Sequence, residues 1–221
     1  MENLDKILNH ILVRVAEARK TDSDKKVVIQ LFGGEPFQAV NKEVNRRIFE
    51  FARTHKFYVS ATSNGIEIDE HLDLLATYHG YMSTVGITLD GDRASHDGIR
   101  RYKKGAANFD RIVKNINILL KLNIPVLVGM NICRQNFDKI EGFLDACDEN
   151  GWSNHPKVTI DFGRVDDRKY ETSEEGRKAV VLMEAELLEA LLRLNALRPF
   201  PKNIQFAFLK TTLKLCQQRA D

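Results

Sequence analysis

Strand-like apolar segments and amphipathic helical segments alternate along most of this 221-residue chain. Five segments rich in β-branched residues begin near residues 27, 57, 81, 124 and 156, and a helical pattern with a period near 3.6 residues follows each one. This alternation predicts right-handed βαβ units around a parallel sheet. The protein is therefore expected to be α/β, either an open doubly wound sheet or a complete or partial (β/α) barrel.

The alternation changes in the last quarter of the chain. Residues 173–195 have a long helical pattern, and a last helix is predicted from about Asn203. We therefore expect two parts: a β/α core over residues 1–167 and a C-terminal helical extension over residues 168–221. Within the core, residues 90–106 are polar and are predicted to form a long loop.

The charge and the apolar patterning of the chain indicate which classes of partner to expect. Lys and Arg total 33 against 31 Asp and Glu, a net charge of +2, which gives no reason to expect a nucleic-acid or anionic-membrane surface. No apolar stretch reaches the roughly 18 residues that a membrane span needs. The first residues lack the apolar core of a signal peptide. We expect a soluble, cytoplasmic protein with no nucleic-acid or membrane partner.

The three cysteines, Cys133, Cys147 and Cys216, are widely spaced. They form no CxxC pair and no Cys/His set with the spacing of a zinc site. We expect buried, reduced thiols and no metal site in this chain.

Polar residues gather where the predicted strands end, in "FGGEP", "ATSNG", "ITLDG", "MNI" and "IDFGR". Ligands of parallel α/β proteins bind at these carboxyl ends. Gly33 and Gly34 carry no side chain, so a ligand can approach their backbone. Glu35 adds an anion that suits an ammonium or hydroxyl partner, and Pro36 fixes the chain direction. The alternative is a tight turn with no ligand.

Two later strand ends allow similar pairs of interpretations. Thr88 and Asp90 flank Leu89, so their side chains share one side of the strand and could meet sugar hydroxyls, or Asp90 could cap an ordinary turn. Asp161 and Arg164 could serve a ligand or form a surface ion pair.

A basic cluster lies on the polar loop. It comprises Arg100, Arg101, Lys103 and Lys104, and either is solvated or contacts an anion such as a carboxylate. His96 and Asp97 precede it, but no second histidine lies at a metal-ligand spacing.

The ordered set of motifs resembles one family. "GGEP", then "SNG", "ITLDG", "HDGIRRYKKGAANFDRIVKNI" and "VLVGMNICRQN", is similar to the core of radical S-adenosylmethionine (AdoMet) enzymes of the SPASM-associated subgroup. That subgroup includes sulfatase-maturating enzymes and ribosomal-peptide maturases. The resemblance is collinear from about Val27 to Asn136 and weaker to about Asp167.

The resemblance implies a fold and a chemistry. The fold is a partial (β/α) barrel of the radical SAM type. The chemistry is reductive cleavage of AdoMet by a [4Fe-4S] cluster, which yields a 5′-deoxyadenosyl radical that abstracts hydrogen from a peptide or protein substrate.

The resemblance also assigns roles to residues. Those at the AdoMet site are Gly33, Gly34, Glu35 and Pro36 at the methionyl amine, Thr88 at the ribose, Asn64 and Asp90 nearby, and Arg100 at the methionyl carboxylate or the substrate. Asn131 and Asp161 are expected to line the substrate side, with Asp161 as the candidate catalytic residue.

One departure from the family pattern is severe. The family holds its cluster with a CxxxCxxC motif after the first strand, and no such motif occurs in these 221 residues. We therefore expect a fragment that lacks the first strand and cluster loop, as well as the C-terminal auxiliary-cluster domain. Such a chain would be inactive by itself, with the [4Fe-4S] cluster present only in the full-length protein. The exposed edge of the strand at 27–32 would favour a dimer.

Two alternatives remain open. The chain could be a degenerate, non-catalytic barrel that binds a peptide or protein partner. It could also be an unrelated TIM-barrel enzyme that uses Asp90, Asp161 and His96 in acid–base catalysis.

Overall fold

A computed structural model describes residues 2–100, 106–164, 182 and 184–206. Six of the described segments are strands of one sheet, which follow chain order from β1 to β6. The pairs β1–β2, β2–β3 and β5–β6 are parallel. The elements are α1 (Glu2–Arg19), β1 (Val28–Leu31), α2 (Lys42–His55), β2 (Tyr58–Ser63), α3 (Leu72–Tyr78), β3 (Met82–Thr88), α4 (Arg93–Ile99), α5 (Phe109–Lys121), β4 (Val126–Ile132), α6 (Ile140–Glu149), β5 (Val158–Arg164), α7 (Glu184–Leu197) and β6 (Ile204–Phe206). The α/β class is confirmed, and the open sheet is consistent with a partial barrel.

The chain divides into two compact units. The first comprises residues 1–87 and 114–126, and the second comprises residues 88–113 and 127–221. The boundary that we expect near residue 167 stays a prediction, because residues 165–181 lie outside the described part.

The core of the first unit comes from the alternation in β2 and from the apolar face of α2. Val59 and Ala61 of β2 are buried while their neighbours are more exposed, as a period of two requires. Phe49 of α2 is buried and its ring centroid lies 5.8 Å from that of Tyr78 in α3. These residues form part of the buried core of the first unit.

In the second unit, aromatic residues surround β5. Phe162 of β5 is fully buried, and its ring lies about 6 Å from those of Phe143, Phe200 and Phe206. Trp152 precedes this strand and is also fully buried. This packing supports β5 and β6 from the side of α6.

The prediction of a loop over residues 90–106 is wrong for residues 93–99, which form α4. Asp92 is its N-cap, because a side-chain oxygen accepts a hydrogen bond from the Ser95 N–H at 2.8 Å. This bond also lowers the pKa of Asp92. An Asp three residues before a Ser was the local signal for this helix.

The prediction of a helix from Asn203 is wrong for residues 204–206, which form β6. The Asn203 amide donates to the carbonyls of Trp152 and Val158, at 2.9 Å each, and so holds this segment beside β5. Residues 207–221 lie outside the described part. The predicted helix over 173–195 is confirmed from Glu184 onward, where α7 begins.

None of the helices in the described ranges combines the length and the apolar character that crossing a bilayer would require.

Candidate functional site

The turn that follows β1 is formed by Gly33, Gly34, Glu35 and Pro36, which we call the GGEP turn. Gly33 and Gly34 have φ angles of 93° and 58°, in the left-handed region that favours glycine. No heavy atom lies within 4 Å of a Cβ placed on either residue. The turn therefore requires glycine for its conformation and leaves open space beside its backbone.

The side chain of Glu35 joins this turn to the end of β2. Its Oε1 accepts hydrogen bonds from the Ser63 hydroxyl at 2.7 Å and the Phe37 N–H at 3.1 Å. Its Oε2 accepts from the Asn64 N–H at 2.7 Å. An ionised carboxylate offers about four acceptor positions. Three are used, so one remains for an ammonium group.

Amide side chains of α2 and of the residue just before it hold the backbone of the GGEP turn. Asn41 donates to the Glu35 carbonyl at 3.0 Å, and buried Asn45 donates to the Pro36 carbonyl at 2.8 Å. Ser63 also accepts from the Gly65 N–H at 2.9 Å. Asn41, Asn45 and Ser63 were not predicted as site residues from the sequence. Only Ser63 had a signal, its place in "ATSNG" at a strand end.

A second group of predicted residues lies in the second unit, around Asp90. Asp90 is only 4% exposed and follows Thr88, the half-buried last residue of β3. One carboxylate oxygen of Asp90 accepts from the Asn131 N–H at 3.3 Å, and the other forms an ion pair with the Arg100 Nε. The structure therefore brings Asp90, Arg100 and Asn131 together.

This ion pair bears on the role predicted for Arg100. Its Nε is paired with a protein carboxylate, so a contact with the methionyl carboxylate would use the other guanidinium N–H groups. The side chain is exposed, which leaves these groups accessible from solvent.

His96 is fully buried beneath Asp90, and both of its ring nitrogens have hydrogen-bond partners. Nδ1 accepts from the Asp90 N–H at 3.1 Å, and Nε2 lies 2.9 Å from the Asn108 side-chain oxygen. These partners require a neutral ring with its proton on Nε2. Burial lowers the pKa of His96. The ring positions the chain after β3, and the geometry does not support its use as a free catalytic base.

Asn131 and Asp161 lie on β4 and β5. Asn131 is exposed, and its side-chain oxygen lies 2.8 Å from the position that a Cβ on Gly163 would occupy. Asp161 is half-buried between Ile160 and Phe162, which are fully buried, so its side chain is on the opposite face of β5. Their substrate and catalytic roles stay predictions.

The described cysteines do not suit a metal cluster. Cys133 and Cys147 are buried free thiols, and burial raises the pKa of Cys147 to about 12. The thiolate is the form that binds a metal. Among the described residues, no three His, Cys, Asp or Glu side chains are placed to hold a metal ion. Cys216 lies outside the described residues.

Residues 7–147 match the family described as the radical SAM superfamily, and this range is well over half of the chain. The chain belongs to the radical SAM superfamily. A cysteine-type anaerobic sulfatase-maturating enzyme from Clostridium novyi (strain NT) is 26% identical over 148 residues, which is 63% of this chain and 38% of that enzyme.

Two solved structures share the fold of this radical SAM chain. Native anSMEcpe with bound AdoMet and Cp18Cys peptide has a TM-score of 0.64 at 17% identity, over 83% of this chain and 52% of that one. Streptococcus suis SuiB bound to precursor peptide SuiA has a TM-score of 0.58 at 15% identity, over 87% and 40%. The chain thus spans about half or less of the length of these relatives. The matches support the predicted SPASM-associated subgroup.

Radical SAM proteins use AdoMet and a [4Fe-4S] cluster. The open backbone of Gly33 and Gly34 and the remaining acceptor position of Glu35 fit the methionyl ammonium of AdoMet. The described cysteines do not fit the cluster, because they are buried and no group of three metal ligands occurs among the described residues.

Proposed function

We propose that this chain binds AdoMet at the GGEP turn and forms the AdoMet-binding core of an enzyme that modifies a peptide or protein. The observation that carries the proposal is the Glu35 carboxylate. It is fixed by Ser63 and Asn64 beside two glycines whose backbone is open to a ligand. A preorganised anion of this kind suits an ammonium group.

The resemblance to radical SAM enzymes suggests the remaining roles. The backbone carbonyls of Gly33 and Gly34 and the Glu35 carboxylate would accept hydrogen bonds from the AdoMet amine. Thr88 would contact the ribose, with Asn64, Asp90 and Arg100 as further polar contacts. When bound with its cluster, AdoMet supplies a 5′-deoxyadenosyl radical in this superfamily.

The proposed substrate is a peptide or a protein side chain, modified as in sulfatase maturation or peptide maturation, in the cytoplasm. Two similar structures support it, since anSMEcpe holds the Cp18Cys peptide and SuiB is bound to precursor peptide SuiA. Asn131 would line the substrate side, and Asp161 is the proposed catalytic residue.

A second candidate function is a non-catalytic barrel that binds a peptide or protein partner. The absence of a CxxxCxxC motif from these 221 residues favours it. The two functions differ in whether the cluster ligands are encoded in frame with this sequence.

Isothermal titration calorimetry with AdoMet and 5′-methylthioadenosine tests the proposed site. Glu35→Gln replaces one acceptor oxygen with an amide donor, so AdoMet binding should weaken about tenfold or more, a change of about 1.4 kcal/mol. Binding of 5′-methylthioadenosine should not change, because this nucleoside lacks the methionyl amine.

Glu50→Gln is the matched control, because Glu50 is an exposed carboxylate of α2 in the same unit. It should bind both ligands as the unmodified protein does. Equal weakening of both ligands by Glu35→Gln would show a general loss of structure, and unchanged AdoMet binding would refute the ammonium contact.

A further inference from the structure

One polar side chain is buried in the apolar face of α5. Asn115 is fully buried, and so are Ile116 beside it and Leu119 one helical turn further on. The helical period predicts an apolar residue at such a position, because burying an amide without its hydrogen bonds is unfavourable. A polar residue here therefore indicates a specific contact.

The Asn115 amide contacts the turn that follows β2. This turn comprises Ser63, Asn64 and Gly65, and we call it the SNG turn. The Asn115 Nδ2 donates to the Gly65 carbonyl at 2.8 Å and to the Ile66 carbonyl at 3.0 Å. Within the described residues, the Asn115 Oδ1 has no hydrogen-bond partner. The contribution of this side chain therefore lies in its two donor groups.

The SNG turn in turn holds the Glu35 carboxylate. The Asn64 N–H donates to Glu35 Oε2 at 2.7 Å, and the Ser63 hydroxyl donates to Oε1 at 2.7 Å. The Ser63 oxygen also accepts from the Gly65 N–H at 2.9 Å. Gly65 is thus bonded through its N–H to the donors that fix Glu35 and through its carbonyl to Asn115. A displacement of Gly65 would change the alignment of these donors.

We propose that Asn115 is a positioning residue for AdoMet binding, because it fixes the SNG turn and thereby keeps Glu35 aligned for the ammonium group. The inference rests on the proposed function, since it concerns the same carboxylate. Asn115 is fully buried, so its effect would reach AdoMet through the backbone of Gly65 and not by direct contact. All of these residues belong to the first unit.

The first test compares two ligands of the 221-residue protein by isothermal titration calorimetry. Asn115→Leu keeps the approximate volume and removes both donors. AdoMet should then bind about fivefold more weakly, whereas the affinity for 5′-methylthioadenosine should change less than about twofold. Asn115→Gln keeps the amide donors and should retain more of the AdoMet affinity. If Asn115→Leu does not fold, Asn115→Asp replaces it, since its carboxylate has a similar shape and also lacks N–H donors.

Leu119→Ala is the matched control, because it removes a buried side chain of the same helix that has no hydrogen-bonding group. This variant should be less stable than the unmodified protein, since it leaves a cavity. The ratio of its affinities for AdoMet and 5′-methylthioadenosine should nevertheless stay unchanged. A purely structural role of Asn115 would give the same result as this control.

Hydrogen exchange provides a readout that does not depend on AdoMet. In Asn115→Leu, the amides of Asn64 and Gly65 should exchange faster relative to those of Val59 and Ala61 in β2, because the SNG turn has lost its anchor. In Leu119→Ala, the four amides should change together.

A double variant tests whether Asn115 acts through Glu35. In a Glu35→Gln background, Asn115→Leu should weaken AdoMet binding less than about twofold further, because two residues in one network do not contribute independently. Losses that multiply in the double variant would show a separate route and would overturn the inference.

Two further results would overturn it. Asn115→Leu could weaken both ligands equally, or the Asn64 and Gly65 amides could keep their exchange rates relative to β2. Each of these results leaves the effect of Glu35→Gln on AdoMet intact. If Glu35→Gln itself leaves AdoMet binding unchanged, the proposed function fails, and the role of Asn115 at this site fails with it.

Discussion

Two buried histidines, His71 and His96, are expected to make the stability of the chain depend on pH. Burial lowers the pKa of His96 and of His71. His96 has a partner at each ring nitrogen, whereas neither ring nitrogen of His71 has a hydrogen bond of normal geometry in the described structure. A backbone group of Glu67 raises the pKa of His71, but by less than burial lowers it. Both rings are therefore neutral in the folded state near pH 7.

The pH dependence of unfolding follows from these two rings. An unfolded histidine has a pKa near 6.5, so below about pH 6.5 the unfolded chain binds more protons than the folded one. The free energy of unfolding should decline as the pH falls from about 6.5 toward the lower pKa values that the two rings have in the folded state. Above about pH 6.5, the two rings should contribute their full stabilisation. Urea denaturation at about pH 7.5 and about pH 5.5 measures it.

A variant with His71→Gln and His96→Gln should lose less stability between these two pH values than the unmodified protein. His79→Gln is the control, because His79 is exposed. The explanation fails if the double variant and the control show the same pH dependence.

Gly163 determines where the Asn131 side chain lies. A Cβ on Gly163 would lie 2.8 Å from the Asn131 side-chain oxygen, which is the mobile end of an exposed side chain. We expect Gly163→Ala to displace Asn131 at a cost below about 1 kcal/mol. If Asn131 contacts the substrate, peptide affinity should fall in Gly163→Ala as it does in Asn131→Ala. A double variant no weaker than either single one, by calorimetry, would confirm the coupling, whereas additive losses would contradict it.

At the scale of elements, α4 depends on the turn before it. Gly91 has a φ of 104°, and a Cβ there would lie 2.8 Å from the Ser95 Cβ and 3.2 Å from the Lys139 Cβ. Gly91→Ala should lower the free energy of unfolding by about 1–3 kcal/mol, because both strain and a steric clash arise. Chemical denaturation measures this loss.

Gly98→Ala is the control within the same helix, since no atom lies within 4 Å of a Cβ at Gly98. Alanine favours a helix over glycine, so Gly98→Ala should be neutral or stabilising by up to about 1 kcal/mol. Equal destabilisation by both substitutions would mean that α4 tolerates no change and that Gly91 has no special role.

The strands also show which elements the local sequence pattern can predict. The first five strands were predictable because each is an apolar run bounded by turn residues. β6 was not, because Ile204–Phe206 is short and is held beside β5 by the Asn203 side chain. A three-residue strand carries no period of its own, so its tertiary partner decides its conformation.

For the molecule as a whole, AdoMet and the [4Fe-4S] cluster of the superfamily lead to different expectations. The GGEP turn is the proposed AdoMet site, whereas the 221 residues contain three cysteines without cluster spacing, two of them described and buried. We expect anaerobic reconstitution with iron and sulfide to yield no stoichiometric [4Fe-4S] cluster, measured by iron content and electron paramagnetic resonance after reduction. AdoMet binding in the same preparation is the control for folding, and a stoichiometric cluster would contradict the prediction.

The candidate site was predictable in part. Gly33, Gly34 and Glu35 could be singled out because glycines and a carboxylate follow a strand, where ligands of parallel sheets bind. The bonds from Ser63 and Asn64 to Glu35 could not, because they join residues 28 and 29 positions apart. The same holds for Asp90, whose ion pair with Arg100 forms because α4 replaces the expected loop.

Local period and the order of motifs were enough to predict the α/β class, the strand ends that carry polar residues and the resemblance to radical SAM enzymes. The folded chain was needed to show which donors hold Glu35, that His96 is a buried ring with a partner at each nitrogen, and that Ile204–Phe206 joins the sheet. These features could not be predicted locally, because hydrogen bonds and burial depend on which distant segments the folded chain brings into contact.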